Sequence, residues 1–365
     1  MRGDRVMKQQ NMRATVEAIW SKEKIGFQPL ELFLQGASVL YRFAILVRNG
    51  LFEMGLLRQE KLPCKVISVG NITVGGTGKT PMVIYLADLL KDRGFHPAVL
   101  SRGYKGKTKA PINIVSDGKR VLMKPEDCGD EPVLIAKSLP GIPVLTGPQR
   151  LLTGRVALEQ LGADLLILDD AFQHRQLARD IDVVLLNTAK PLGNGALLPA
   201  GPLRESPSAL KRAHFIVRTG DDAKITSVFS AQPEYLARHQ AVAVVNGATG
   251  QASPLQNLEG RRVCAFAGIA RPEAFRRTLI DIGAQVVAFM PFPDHHDYSR
   301  EDIREIQKTA MKEKAEIIVT TEKDGVKLSR FHMFLEKIDL LRIRIVFSRD
   351  EQAFVKSFME KLNQP

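Results

Sequence analysis

The 365-residue chain predicts an α/β protein. It has a parallel-sheet core around a phosphate-binding loop, a second, smaller α/β domain, and a leading amphipathic helix. Three observations carry this. Short continuous apolar runs alternate with helical stretches, the pattern of strands covered on both faces. A glycine-rich segment ending Gly78-Lys79-Thr80 lies between such a run and a helix. The first sixty residues lack the alternation and carry a long apolar stretch with a helical period instead.

That stretch runs from Leu32 to Leu57. Phe33, Ala37, Leu40, Ala44, Val47 and Leu51 share one face at about 100° per residue, and Gln35, Arg42, Asn49 and Glu53 lie opposite. A bilayer span needs about 20 apolar residues, and Arg42, Arg48 and Glu53 interrupt the run. A secretory signal fits poorly, because the apolar part starts late and no small-residue cleavage site follows. Two readings stay open: a helix packed on the protein's own core, or one lying in a membrane interface with its arginines near head groups.

From Lys65 to Arg218 the apolar runs Val66–Val69, Ala98–Leu100, Leu165–Leu168, Val183–Leu186 and Phe215–Val217 alternate with helical stretches. Residues 219–235 are polar and mixed and mark a boundary. Strands then follow near Ala241–Val245, Val263–Phe266, Val286–Phe289, Ile317–Thr320 and Ile343–Phe347. Helices near Pro272–Ile282, Arg300–Lys312 and Glu351–Leu362 go with them. The expected domains are therefore 1–62, the nucleotide-binding core 63–220, and the smaller domain 221–365.

The phosphate loop reads Gly70-Asn71-Ile72-Thr73-Val74-Gly75-Gly76-Thr77-Gly78-Lys79-Thr80. Glycines let backbone N–H groups wrap a phosphate, and the following helix start adds free donors and partial positive charge. Pro81 falls in the helix's first turn, where its missing N–H costs nothing. Thr73 through Thr80 form the nucleotide cradle, with Lys79 on the β- and γ-phosphates and the Thr80 hydroxyl on Mg²⁺. The usual spacing has a glycine where this chain has Thr73, so the loop is a variant. Asp169 and Asp170 end the apolar strand Leu165–Leu168, where ligands of open α/β sheets collect and where Mg²⁺ finds oxygen ligands.

Composition narrows the partner. There are 52 Lys and Arg against 40 Asp and Glu, a net charge of +12, which calls for an acidic partner. Aromatics make up only 6% and form no interleaved stacking platform, which argues against nucleic acid. A metal phosphoesterase, suggested by Asp294-His295-His296, would need further Asp/His clusters than seven histidines supply. Three scattered cysteines exclude a disulfide scaffold and fit a reducing cytoplasm.

Further segments join the loop: Ser101-Arg102-Gly103-Tyr104, Gly129-Asp130-Glu131-Pro132, Asp169-Asp170-Ala171-Phe172-Gln173-His174-Arg175, Leu198–Glu205, Phe292-Pro293-Asp294-His295-His296 and Thr321-Glu322-Lys323-Asp324. In this order and spacing the chain closely resembles the tetraacyldisaccharide 4′-kinase family, the lipid A 4′-kinases. The match is dense over 68–206 and resumes near 267–269, 292–298 and 320–328. Ala171 departs from the family's glycine, and a methyl group there is expected to be tolerated.

The resemblance implies ATP-dependent, Mg²⁺-assisted phosphorylation of the 4′-hydroxyl of a lipid-linked glucosamine disaccharide 1-phosphate. It also implies a peripheral enzyme on the cytoplasmic face of a Gram-negative inner membrane, with an anionic membrane surface as partner; a monomer is expected. It further implies that Asp130 is the base on the acceptor hydroxyl, assisted by His295, with Lys79 also catalytic. Asp169, Asp170, Thr80 and Glu205 surround the metal, and Arg150 and Arg204 face phosphates. Asn71, Arg102 and Tyr104 complete the substrate side with Arg204. Independently of the family, an imidazole that orients a carboxylate near Mg²⁺ makes chemical sense. His295 follows an apolar strand in a loop that Ser299 and Asp302 close with a capping box. His174 reads equally as a structural histidine and stays outside the catalytic group. The rival reading is a P-loop ATPase or GTPase of the metal- or protein-delivery type, which needs no acceptor base and no leading apolar helix.

Overall fold

The computed structural model describes residues 19–20, 29–103, 106–220 and 232–364. By contacts the chain forms two compact units. One comprises Met1–Lys79, Leu166–Arg238 and Phe347–Pro365, the other Thr80–Leu165 and His239–Val346.

The first unit is built on a sheet in which the strand Lys65–Gly70 pairs parallel with Ile181–Asn187. That strand pairs parallel with Phe215–Thr219, which pairs parallel with the start of Glu234–Asn246. Leu165–Asp169 borders Lys65–Gly70 on the other side. Burial of Leu166, Ile167, Leu168, Val183, Val184 and Leu185 explains why these runs show no polar alternation: both faces are covered.

The helix Pro29–Glu53 turns its mixed face to this unit. Ser38 Oγ donates to the Leu197 carbonyl, the Tyr41 hydroxyl to the Arg204 carbonyl, and Asn49 Nδ2 to Glu205. Leu34 is buried against Ala200. The opposite face is apolar and open: Phe33 is 72% exposed and Leu40 73%, with Val39, Phe43, Leu46 and Val47 also exposed. This helix inverts the usual arrangement, in which the apolar stripe faces the core. It is long and apolar enough to cross a membrane by length and composition.

The second unit contains two sheet segments. Pro97–Ser101 pairs parallel with Pro143–Thr146, and Asn113–Asp117 pairs antiparallel with the latter. The other segment is parallel, with Arg262–Ala267 flanked by Gln285–Pro291 and Ile317–Thr321, and Ile338–Phe347 beyond. Because the strands run parallel, the loops after Ala267, Pro291 and Thr321 all emerge at one edge. Helices Pro272–Asp281, Arg300–Lys312 and Glu351–Leu362 match the expected spans closely. The Ser299–Asp302 capping box is present in both directions. The strands Asn113–Asp117 and Pro143–Thr146 were not expected, being too short and too mixed to show a period.

Candidate active site

Two constellations of chemically competent side chains occur, one in each unit.

In the first unit the phosphate loop leaves the strand at Gly70, where a Cβ would lie 2.8 Å from the Phe172 amide nitrogen. Only glycine lets the two chain segments approach this closely. Gly75 and Gly78 have φ of 119° and 85°, and a Cβ on Gly75 would meet nothing within 4 Å. Asn71 is buried, its Nδ2 donating to Thr77 Oγ1 at 2.9 Å, while Gln173 Nε2 donates to the Asn71 carbonyl. Asn71 thus braces the loop from inside. Thr73 and Val74 are held by Leu203 and Pro202, through an antiparallel bridge and the Val74 N–H to the Pro202 carbonyl. Thr73 has no positive φ, so this position does not call for glycine.

Lys79 Nζ lies 3.7 Å from Asp170 Oδ1, and Arg204 Nη1 donates to both Asp170 oxygens at 2.8 and 3.0 Å. Burial pushes the Asp170 carboxyl up, but Lys79 and Arg204 outweigh it and hold it below the usual carboxylate range. Asp170 also has a positive φ of 50°, a rare conformation for a residue with a side chain and one that collects at functional sites. Asp169 beside it is buried. Asp169 and Asp170 put a sparse all-oxygen donor set at the end of this strand. It suits Mg²⁺ shared with nucleotide phosphates rather than an all-protein metal cage. Accordingly, among the described residues no group of three or more His, Cys, Asp and Glu side chains gathers to hold a metal alone.

Glu205 is fully buried, with Arg212 on both of its oxygens at 3.1 and 2.9 Å. Asn49 and Arg48 also meet it, at 3.1 and 3.9 Å. Its carboxylate is occupied by the leading helix and Arg212, which makes it a tie between that helix and the core.

In the second unit Asp130 opens the helix Asp130–Ser138, and its N-cap Gly129 has φ 96° and ψ 155°, a conformation open to glycine. Asp130 Oδ2 lies 2.9 Å from His295 Nδ1. His295 also has a positive φ, 61°. Lys323 Nζ reaches 3.5 Å from His295 Nε2, 3.5 Å from Glu131 and 3.6 Å from Asp294. Burial raises the Asp130 carboxyl, but the His295 hydrogen bond and the charges of Lys323 and Lys327 outweigh it, so Asp130 is held down to about 2. Burial lowers the Lys323 ammonium, and Glu131, Asp294 and Asp130 outweigh that and hold it above its ordinary value.

Beneath this pair, buried Asp324 accepts from the Gly268 N–H, the Tyr298 hydroxyl and Thr321 Oγ1, and Lys327 pairs with it at 2.6 Å. His296 instead faces Asp302 at 3.0 Å and belongs to the helix cap. The Thr321-Glu322-Lys323-Asp324 segment, to which the sequence alone assigns no role, therefore supports the Asp130–His295 pair. Its place at a strand's C-terminal end was the available signal.

Arg150 begins the helix Arg150–Leu161, is buried, and donates to the Gly147 carbonyl. Arg102 is exposed just after the strand Pro97–Ser101. Tyr104 lies outside the described residues. His174 lines a cavity beside Arg175 and is not among the groups around Lys79 or Asp130.

Residues 30–363 match the family model described as LpxK, tetraacyldisaccharide-1-P 4′-kinase. The chain belongs to this family. A tetraacyldisaccharide 4′-kinase of Syntrophus aciditrophicus is 51% identical over 338 residues, covering 87% of this chain and 90% of that protein. One from Anaeromyxobacter dehalogenans is 43% identical over 328 residues, covering 86% of each. A crystal structure of LpxK from Aquifex aeolicus in complex with ATP aligns with a TM-score of 0.78 at 37% identity, covering 91% of this chain and 99% of that one. In this tetraacyldisaccharide 4′-kinase family member, the phosphate loop and the Asp-Asp strand end occur together in one unit, and the Asp130–His295 pair in the other.

Proposed function

We infer that this chain is an ATP-dependent, Mg²⁺-assisted kinase. It transfers the γ-phosphate to the 4′-hydroxyl of a tetraacyldisaccharide 1-phosphate, a step of lipid A biosynthesis. The observation that carries the reading is the family match over nearly the whole chain, joined to a phosphate loop whose lysine faces the strand-end Asp170. A P-loop ATPase or GTPase without an acceptor is not favoured, because it has no use for a buried carboxylate–imidazole pair.

Residue roles follow from the chemistry. Phosphoryl transfer asks for in-line positioning and charge neutralisation more than for covalent help. Thr73 to Thr80 cradle the nucleotide, Lys79 spreads positive charge over the transferred group, and Arg204 and Arg150 face phosphate oxygens. Asp169, Asp170 and the Thr80 hydroxyl would hold Mg²⁺, which would supply charge neutralisation on the nucleotide phosphates. Glu205 contributes by positioning, since Arg212, Arg48 and Asn49 hold its oxygens. Asp130 accepts the proton of the acceptor hydroxyl. His295 Nδ1–H donates to one Asp130 oxygen, leaving the other for the substrate, and Lys323 keeps the surrounding carboxylates ionised. A carboxylate held this low is a weak base, so proton transfer comes late, as the new P–O bond forms. Arg102 and Tyr104 serve the substrate side, and Asn71 acts there through the loop that it braces.

The membrane assignment rests on the leading helix. Each exposed Leu, Val or Phe on it gains about 1.5–3 kcal/mol on full burial in an apolar phase, and the protein's own core covers only the opposite face. We place the enzyme as a monomer, peripheral on the cytoplasmic face of a Gram-negative inner membrane, with anionic lipid as surface partner. The deciding experiment incubates the protein with γ-labelled ATP and the lipid disaccharide in mixed micelles. Label in the lipid is expected; release solely as free phosphate would overturn the kinase assignment.

A further inference from the structure

Arg204 is a junction of three elements of the first unit. Its backbone N–H donates to the Ile72 carbonyl at 2.7 Å, and its Nη1 donates to Asp170. Its carbonyl accepts the Tyr41 hydroxyl at 2.9 Å. The two residues before it hold the phosphate loop as well: Leu203 bridges Thr73, and the Pro202 carbonyl accepts the Val74 N–H at 2.8 Å. Tyr41 is thus one residue's backbone away from both the loop and the acidic strand end. Its ring packs on the cluster that contains Ile72, Phe172 and Leu203. Burial, against the charge of Arg48, pushes the Tyr41 phenol up, so its hydroxyl keeps the proton it donates. Ser38, one turn earlier, donates to the Leu197 carbonyl at 2.9 Å, and Leu197 in turn bridges Leu203. Leu40 and Phe43, close to Tyr41 in the chain, are exposed on the apolar side of the same helix.

We propose that Tyr41 is a positioning residue for the nucleotide site: its hydrogen bond to Arg204 lets a bilayer-seated helix brace the phosphate loop and tighten ATP binding. The proposal rests on the nucleotide and membrane readings above. Within Pro29–Glu53 the buried residues are Glu31 and Leu34, so the helix is held to the unit largely by its hydrogen bonds. Each of these is worth little net of the exchange with water, and an element held in this way opens more easily than the core strands. A bilayer that takes up the apolar face favours the seated helix, and a nucleotide that fills the loop favours the braced loop. Because Tyr41 and Ser38 join the two, each ligand stabilises the state that the other binds. Tyr41 does not touch the nucleotide; it acts through Arg204. ATP is then held most firmly where a lipid acceptor resides.

The test uses the full chain, a non-hydrolysable ATP analogue with Mg²⁺, and vesicles containing phosphatidylglycerol, with no acceptor present. In wild type the vesicles should tighten analogue binding about fivefold or more, the lower end of ordinary coupling between two sites. Linkage then requires the analogue to tighten vesicle binding by the same factor. Tyr41→Phe keeps the ring in its packing and removes the one hydrogen bond. Without analogue it should bind vesicles within about twofold of wild type, while the coupling factor falls below about two. Ser38→Ala, whose bond reaches Arg204 only through Leu197 and Leu203, should lower the factor less. A purely structural tyrosine gives the opposite, a lower thermal midpoint with the coupling factor kept, and that result would overturn the proposal. Equal analogue affinity with and without vesicles, in wild type that sediments with them, would overturn it and leave the membrane reading standing. Failure to sediment would overturn both. Coupling in a protein that transfers no label to the lipid acceptor would retain the role of Tyr41 and remove the kinase reading. Should Tyr41→Phe fail to fold, the wild-type linkage and Ser38→Ala decide, an undiminished factor in Ser38→Ala counting against the proposal.

Discussion

His295 Nδ1 stands 2.9 Å from Asp130 Oδ2, although 165 residues separate them in the chain. The carboxylate begins a helix behind Gly129, whose φ of 96° favours glycine. The imidazole sits on a backbone of positive φ in the loop after Gln285–Pro291. Two uncommon conformations converge on one hydrogen bond, which is how a strained geometry points to function.

Replacing Asp130 by Asn keeps the shape and removes the proton acceptor. Turnover should fall by about 10²–10⁴, the usual worth of a positioned acid or base, with ATP affinity unchanged. Single-turnover transfer and nucleotide binding measure the two separately, and a normal kcat removes Asp130 from the base role.

His295→Gln should cost less than Asp130→Asn, because the glutamine amide can still donate to the carboxylate. His295→Ala should approach the Asp130→Asn value. A larger loss for Gln than for Ala contradicts the orienting role. The quantity to compare is kcat at saturating acceptor.

Acid stability follows from the same pair. Asp130 is held down to about 2, below its ordinary 3.8, so its stabilisation is complete above about pH 4 and is lost as pH falls through about 2. The shift corresponds to about 2 kcal/mol. Denaturant melts of wild type and Asp130→Asn should therefore converge as the pH drops from 5 towards 2. Parallel curves would deny the depression.

Leu40→Glu together with Val47→Glu should release the enzyme from vesicles while leaving its thermal midpoint unchanged within error. Both side chains are exposed, and surface substitutions of this kind change stability by about 0.5 kcal/mol or less. Undiminished vesicle binding would place the membrane contact elsewhere.

Gly70→Ala brings a methyl group to within 2.8 Å of the Phe172 backbone. Overpacking here should cost about 1–3 kcal/mol and displace the phosphate loop, seen as a lower midpoint and weaker ATP binding together. A stable variant with full ATP affinity contradicts the close approach.

The strands were legible where burial on both faces leaves unbroken apolar runs, as in Leu165–Asp169 and Ile181–Asn187. Pro143–Thr146 and Asn113–Asp117 were not, because four or five residues with polar ends carry no period. Lys79 and Asp170 were readable as candidates because glycine spacing and strand ends have local signatures. Lys323 was not, since its role depends on Glu131, Asp294 and His295 arriving from other parts of the chain.

By itself the sequence determined that this is an α/β protein with a nucleotide loop, an acidic strand end and an amphipathic leading helix, because each is written in residues a few positions apart. Only the tertiary structure decided which way that helix faces: hydrogen bonds from Ser38, Tyr41 and Asn49 satisfy distant partners and leave the apolar stripe outward. It decided too that Glu205 is enclosed by Arg212, Arg48 and Asn49. Those arrangements depend on which charges and donors meet across long separations, and neither periodicity nor spacing records that.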